Sequence, residues 1–374
     1  MTETRAIETS VAETQIQLPQ GVPPLTSIYI YAAGSCNLAC RHCWIVPKFQ
    51  PDGIGGPYVK LEHVEKAIRE GKSLGLRSVK LTGGEPTLHP QFRQMVDLTN
   101  NAGLDILLET NGTLVDGDLA LFLKSRPHVD FISVSLDGAT AETHDELRSV
   151  PGSFQRALAG IENLVRAGFR PQVICTLHKG NVSEAVEVIA IAEKLGCGSV
   201  KFNHVQQIGR GDNFNVIEGL PIPEIINMHR RIEKDIAPQF KIPIYFDIPV
   251  AFYSLGKLLV SIGRCTVQNI LGLLATGELA LCGVGTTIPE LIYGNIGTDD
   301  LREIWCTSPG LSRLREQVPF QLRGICGRCI HRDLCQGECV ANNYHREDGL
   351  DAPYILCEEA DKLGLFPESR KKVM

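Results

Sequence analysis

Three cysteines, Cys36, Cys40 and Cys43, close an apolar run rich in β-branched and aromatic residues, SIYIYAAGSCNLACRHCW, over residues 27–44. With three residues and then two between them, their thiolates can hold three corners of a cubane iron–sulfur cluster on one short loop. One iron is then left without a protein ligand. A cluster that only relays electrons needs four protein ligands, so an open iron is a position kept for a ligand that reacts. Taken alone, the triplet leaves a zinc knuckle or buried thiols as the lesser alternative.

A second field of thiols starts at Cys265. Eleven residues separate it from Gly277 and four more lead to Cys282; Cys326, Cys329, Cys335 and Cys339 follow with two, five and three residues between them, and then Cys357. Seven thiols in this order exceed what packing asks for. Spacing alone does not separate iron from zinc, and tetrahedral zinc sites drawn from the same thiols remain the alternative.

The chain has 374 residues, 13 of them cysteine, and a net charge of −6. That length predicts two domains, since single cores stop growing near roughly 250–300 residues. The charge leaves no basic footprint for nucleic acid. No run of about 18 apolar residues exists to span a membrane, and the first residues lack the apolar core of a secretory signal. So many thiols without an export signal argue for metal ligation in a reducing compartment, hence a cytoplasmic, oxygen-sensitive protein.

The elements that must position these thiols are legible as alternating patterns. Strands are expected from Ser27, Ser78, Asp105, Asp130, Pro171 and Ser199. Leu61, Val64, Ala67, Ile68 and Leu74 have helical spacing, as do Phe154, Ala157, Ile161, Leu164 and Val165, and Ala185, Val188, Ala190, Ile191 and Leu195. Such alternation implies a parallel α/β sheet with crossover helices, either a partial barrel or an open doubly wound sheet. Active sites of such sheets lie at the C-terminal strand ends, which is where the first strand delivers its cysteines.

Two more strand ends carry polar motifs. The second ends in Thr82-Gly83-Gly84-Glu85-Pro86, where two glycines permit close backbone approach and a carboxylate follows; alone it could be a turn before a helix. The fourth ends in Ser133-Val134-Ser135-Leu136-Asp137-Gly138, with His144, Asp145 and Arg148 beyond; Asp-Gly is also a plain turn signal. The cysteine triplet, GGEP and SLDG together resemble the radical S-adenosylmethionine (SAM) enzymes, and the C-terminal thiols, over about the last 110 residues, resemble their SPASM domain. The resemblance favours an open six-stranded (β/α) barrel followed by a small cysteine-rich domain. It implies a [4Fe-4S] cluster on Cys36, Cys40 and Cys43 whose open iron binds SAM. The bound SAM is cleaved reductively to a 5′-deoxyadenosyl radical that abstracts hydrogen. It also implies that Gly83, Gly84 and Glu85 receive the methionine amino group, and that Ser135 and Arg148 contact the ribose and carboxylate. Asn111, in ETNGT, matches a recurrent motif of the family without a role that follows from it. Arg210, in IGRG, reads equally as a site residue or an exposed loop arginine, and Asp247 as a site residue or a strand-end cap.

The same resemblance assigns Cys326, Cys329, Cys335 and Cys357 to one auxiliary cluster and Cys265, Cys282 and Cys339 to another. Enzymes with a full ligand set for the latter carry a further cysteine where this chain has Leu259, so that cluster is expected to have an open iron, a non-cysteine ligand or a smaller core. Cys175, Cys197 and Cys306 read as core thiols. The expected organisation is an arm over residues 1–25, the barrel over 26–214, a bridge over 215–262 and the SPASM domain over 263–374.

SPASM proteins mostly modify peptides, so the resemblance implies a peptide maturase acting on a ribosomal precursor by cross-linking, epimerisation or backbone excision. Sulfatase maturation is disfavoured, because those enzymes carry an aspartate base where this chain has Gly283. Only about 25 residues precede the first strand, too few for a leader-recognition domain, so a separate small leader-binding protein or a leaderless substrate is expected. An electron donor such as flavodoxin or ferredoxin is implied. A small-molecule substrate, such as a carbohydrate or tetrapyrrole, and a non-catalytic metal-binding protein are the alternatives.

Overall fold

A computed structural model of the chain describes residues 17–51, 55–258 and 265–372. Leu259, and with it the expectation of a missing fourth thiolate, lies outside the described residues.

Six parallel strands form where the apolar runs place them: β1 (Ser27–Ala33), β2 (Ser78–Gly83), β3 (Asp105–Thr110), β4 (Val129–Ser135), β5 (Gln172–Leu177) and β6 (Ser199–His204). Each pairs in parallel with the next in chain order. A short β7 (Ile244–Phe246), from the segment expected to bridge two domains, extends the sheet beside β6. On the other edge, β8 (Ile270–Leu273) pairs in parallel with β1, and β9 (Glu278–Ala280) and β10 (Ile292–Asn295) continue it antiparallel. The sheet is therefore ten strands wide and open, and it runs without a break into the C-terminal cysteine-rich part.

The crossover helices are α1 (Leu61–Lys72), α2 (Phe92–Asn101), α3 (Gly117–Lys124), α4 (Ala141–Arg148), α5 (Ser153–Arg166) and α6 (Ala185–Leu195). Successive strand residues point to opposite faces, and here the two faces have different chemistry. Ile28, Ile30, Val79, Leu81, Ile106, Leu108, Val200 and Phe202 are buried under the helices. Their neighbours Tyr29, Tyr31, Lys80, Thr82, Glu109 and Asn203 line a central cavity. A parallel sheet covered on both faces ordinarily reads as continuous apolar runs; the polar second positions mark a concave face that holds a ligand space instead.

After β6 come α7 (Arg210–Glu218) and α8 (Ile222–Arg231), the latter entered through Pro221. Residues 17–25, expected to belong to a mobile arm, are docked. Leu25 is fully buried and its N–H donates to the Leu74 carbonyl at 3.0 Å, while Trp305 Nε1 donates to the Pro23 carbonyl at 2.8 Å. Among the described residues no helix is long and apolar enough to cross a membrane.

Candidate radical and auxiliary thiol sites

The cysteine loop leaves the top of β1 and is fixed on every side by backbone. Ser35–Cys36 pairs with Lys48–Phe49. Ala39 N and Arg41 N donate to the carbonyls of Arg148 and Leu147 at 3.1 and 2.9 Å, and Arg210 N donates to the Cys43 carbonyl at 3.0 Å. The glycine pair is spent on the same loop. Gly83 has φ +126°, and a Cβ on Gly84 would lie 1.9 Å from the Ser35 carbonyl oxygen. Gly84 N and Glu85 N donate to Ala33 and Ser35 carbonyls at 2.9 and 3.1 Å. The backbone of the second motif is thus stitched to the entrance of the first, which only glycine permits.

Cys36, Cys40 and Cys43 line one cavity of about 390 Å3 together with Gly83, Gly84, Glu85, Ser135 and Arg148, so the fold gathers the sequence-expected residues around a single space. Burial pushes the Cys36 and Cys40 thiols above their ordinary values, and the three sulfurs repel one another's charge. Thiols so placed give up their protons only to a strongly positive group, which is the behaviour of cluster ligands. Donors already face the sulfurs: Leu38 N lies 3.4 Å and Asn111 Nδ2 3.9 Å from Cys36 Sγ, and Arg148 Nη1 3.5 Å from Cys40 Sγ. Hydrogen bonds to cluster sulfurs tune reduction potential. The donor set therefore fits an iron–sulfur cluster. Among the described residues no three His, Cys, Asp or Glu side chains are gathered about a point for one metal ion.

Several motif residues are already engaged with protein partners. The Glu85 carboxylate is buried. Its Oε1 accepts from Thr87 N at 3.1 Å, Thr87 Oγ1 at 2.6 Å and Thr110 Oγ1 at 2.7 Å, and its Oε2 from Asn111 N at 2.8 Å. Burial raises its pKa even against these four donors. Arg148 grips Asp137 with two nitrogens, Nε at 2.5 Å and Nη2, and reaches Cys40 with the third. Burial opposes the charge of Asp137, but Arg148, His42, His144 and the Thr176 N–H together outweigh it and hold that carboxyl below the usual range. Asp137 Oδ1 also accepts from Thr176 N at 2.7 Å, which ties β4 to β5. Asp145 caps α5, accepting from Gly152 N, Ser153 Oγ and Phe154 N. Asn111 gains a clear place: its Nδ2 donates to Asn37 Oδ1 at 2.9 Å and its Oδ1 accepts from Thr113 N and Oγ1, bracing the cysteine loop against β3.

Residues that the motifs did not single out complete the lumen. Lys80 Nζ lies 2.8 Å from Glu109 Oε1 and 4.3 Å from the centre of the Tyr29 ring, and Thr82 Oγ1 donates to Glu109 Oε2 at 3.1 Å. Asn203 also faces the cavity, as do Ser133 and Arg210, which the strand-end and IGRG motifs had already marked. The available signal was the polar residue at every second strand position.

Cys265 and Cys282 open into the same cavity as the first three cysteines. Cys282 and Cys339 are pushed up to about 12 by burial; Cys265, Cys282 and Cys339 raise one another through their charges. Cys326, Cys329, Cys335 and Cys357 instead surround a small apolar cavity with Leu322, Ile325 and Phe366. Tyr354 N and His331 N point at the sulfurs of Cys326 and Cys329 at 3.4 and 3.3 Å. Cys326, Cys329, Cys335 and Cys357 thus lie around one cavity, and Cys265 and Cys282 at another. Cys175 and Cys197 are buried in the sheet core, and Cys306 is half-buried on the helix Leu301–Thr307. Asp247 pairs with Lys201 at 3.5 Å.

A family model described as the radical SAM superfamily matches residues 30–192. The chain is 31% identical over 320 residues to an AdoMet-dependent heme synthase of Methanosarcina barkeri, covering 83% of this chain and 89% of that protein. It is 28% identical over 330 residues to the mycofactocin maturase MftC of Mycobacterium ulcerans, covering 86% and 85%. Among solved structures, Streptococcus suis SuiB bound to its precursor peptide SuiA matches with a TM-score of 0.72 at 14% identity, over 90% of this chain and 76% of that one. The anSMEcpe enzyme with bound AdoMet and the Cp18Cys peptide matches with a TM-score of 0.69 at 19% identity, over 92% and 96%. At these identities the two structures speak for the fold.

Proposed function

The chain belongs to the radical SAM superfamily, and from that premise we propose that it is a peptide-modifying enzyme of the SPASM-bearing kind. Cys36, Cys40 and Cys43 are the residues that would hold the [4Fe-4S] cluster. Bound there with SAM, and reduced by a donor such as flavodoxin or ferredoxin, that cluster supplies the 5′-deoxyadenosyl radical that takes a hydrogen atom from the substrate. Gly83, Gly84 and Glu85 fix the loop and shape one wall of the SAM site; Ser135 lines the same cavity. Arg148, held by Asp137, keeps a positive charge against Cys40 and balances a thiolate there. Cys265, Cys282 and Cys339 would hold one auxiliary cluster at the cavity and Cys326, Cys329, Cys335 and Cys357 a second one behind it.

The observation that carries the peptide reading is the size of the space. Small-molecule sites span roughly 300–1,000 Å3, and a cavity of about 390 Å3 is at the small end. SAM is itself such a ligand, so the remaining room suits a side chain reaching in from a larger substrate. Likeness to the mycofactocin maturase supports the same reading. Sulfatase maturation is disfavoured: a Cβ on Gly283 would lie 2.2 Å from the Tyr31 ring, leaving no room for an aspartate at that position. A second reading, a tetrapyrrole substrate, is favoured by the 31% identity to the heme synthase. Coexpression with short peptides encoded beside the gene, followed by mass spectrometry, tests the choice. A mass change on a peptide, dependent on Cys36, supports the proposal. No peptide change, alongside SAM-dependent conversion of an iron porphyrin by the purified enzyme, refutes it.

A further inference from the structure

The walls of the cavity differ in how fully their polar groups are paired. On the side built by β2 and β3, Lys80, Glu85 and Glu109 are all engaged with protein partners. On the side that runs from β4 to β6 and the start of α7, Ser133 Oγ, Asn203 Oδ1 and two nitrogens of Arg210 are buried without any partner. Among the described residues, three cationic side chains line the space: Lys80, Arg148 and Arg210. The first is paired with Glu109 and the second with Asp137. Among the described residues, Arg210 alone has guanidinium donors facing the cavity uncommitted, and they are Nε and Nη2. These two lie along one edge of the guanidinium, the edge that grips a carboxylate with two parallel hydrogen bonds.

The fold holds this arginine in place although leaving buried donors unpaired is costly. Gly209 has φ +63°, and a Cβ there would lie 2.6 Å from the Trp44 carbonyl oxygen; one on Gly211 would lie 2.3 Å from that of Gln206 and 3.0 Å from that of His42. With Arg210 N donating to the Cys43 carbonyl, the IGRG turn is clamped to the cysteine loop, so the Arg210 backbone cannot leave the cavity rim. We propose that Arg210 anchors a carboxylate of a bound ligand, while Ser133 and Asn203 meet neutral polar groups on the same wall. The inference rests on the cavity being the SAM and substrate site. Two carboxylates are available there, the methionine carboxylate of SAM and one carried by the substrate.

Binding measurements test this without turnover. Calorimetry on the iron-loaded protein compares SAM with decarboxylated SAM, and measures propionate as a minimal carboxylate with and without SAM. Arg210→Gln should lose about ten- to a hundredfold in affinity for one of these carboxylates, and Arg210→Lys should recover part of it. A collapsed preference for SAM over decarboxylated SAM in Arg210→Gln identifies SAM as the source. A retained preference with lost propionate binding identifies the substrate. If Arg210→Gln keeps both, with wild-type iron content and thermal unfolding, the proposal is overturned. Should that variant fail to fold, Arg210→Lys, which lacks the two-donor edge, is read in the same way. Failure of the wild type to bind SAM would sink the reading of the cavity, and the propionate comparison would still decide Arg210.

Discussion

Replacing Glu85 by glutamine separates two accounts of the GGEP motif. In the structure the carboxylate is already filled by four donors, three on Oε1 and Asn111 N on Oε2. Glutamine keeps the shape, and its carbonyl can take the three donors at Oε1. Its NH2 must then face the Asn111 N–H across 2.8 Å, so a buried backbone donor loses its acceptor, at a cost of about 1–3 kcal/mol. Loss of charge assistance at Oε1 is offset by no longer burying a charge that the site disfavours. We therefore expect Glu85→Gln to lower stability by about 1–3 kcal/mol, read as a lower urea midpoint of the metal-free protein under anaerobic conditions. Weaker SAM binding would follow only from a loosened loop. If the carboxylate instead turns to the methionine ammonium, stability stays within about 0.5 kcal/mol of wild type while SAM affinity falls about ten- to a hundredfold. An unchanged urea midpoint with weakened SAM binding would refute the bracing role.

The other expectations can be put briefly. Changing Cys36, Cys40 and Cys43 together to alanine should abolish reductive formation of 5′-deoxyadenosine and leave iron bound by the C-terminal thiols; retained SAM cleavage would end the assignment. Cys282→Ala should alter the electron paramagnetic resonance of the auxiliary iron in a protein lacking the first three cysteines, and because Cys265 and Cys282 face the cavity, an added thiol should perturb that signal in the parent. No response to any ligand would mean that this site only relays electrons. His229 is buried, and burial lowers its pKa to about 4. A depressed histidine takes up its proton in the unfolded chain first, so its share of stability is present above about 6.5 and is lost as pH falls towards the folded value. At pH 5.5 this amounts to about 1.4 kcal/mol, and His229→Phe should flatten the pH dependence of the urea midpoint between pH 7.5 and 5.5 by that amount.

The sequence alone carried the six parallel strands, because each is an apolar run between helical patterns; their sequential order came from the family resemblance, since the pattern fits a barrel and a doubly wound sheet alike. Convergence of strand ends accounts for Cys36 and Gly83 meeting, whereas Arg148, the last residue of α4, joins them as the family resemblance implied. The sequence did not carry the place of β8. NILGLL is a plain apolar run, and its partner on the sheet edge, β1, lies more than two hundred residues away. Nor was the docking of residues 17–25 legible, because it depends on Trp305 and Leu74.

The largest difference concerns what motif residues do. Glu85 and Arg148 read as groups waiting for a ligand, and each is found spending most of its hydrogen bonds on the protein, as is Asn111, whose motif implied no role. The physical reason is that an open iron tolerates little error in the placement of its three thiolates, and of the eight residues from Cys36 to Cys43 only Cys36 belongs to a strand, a two-residue one, so the loop has little structure of its own to provide it. Strand ends β2, β3 and β4 supply that rigidity through polar side chains, which in a buried setting must be fully paired to be worth their desolvation. A residue type at a motif position therefore does not separate holding the loop from holding the ligand. The separation comes from satisfaction: where a buried donor such as Arg210 Nε is left over after the protein's own pairing is complete, the missing partner is the ligand.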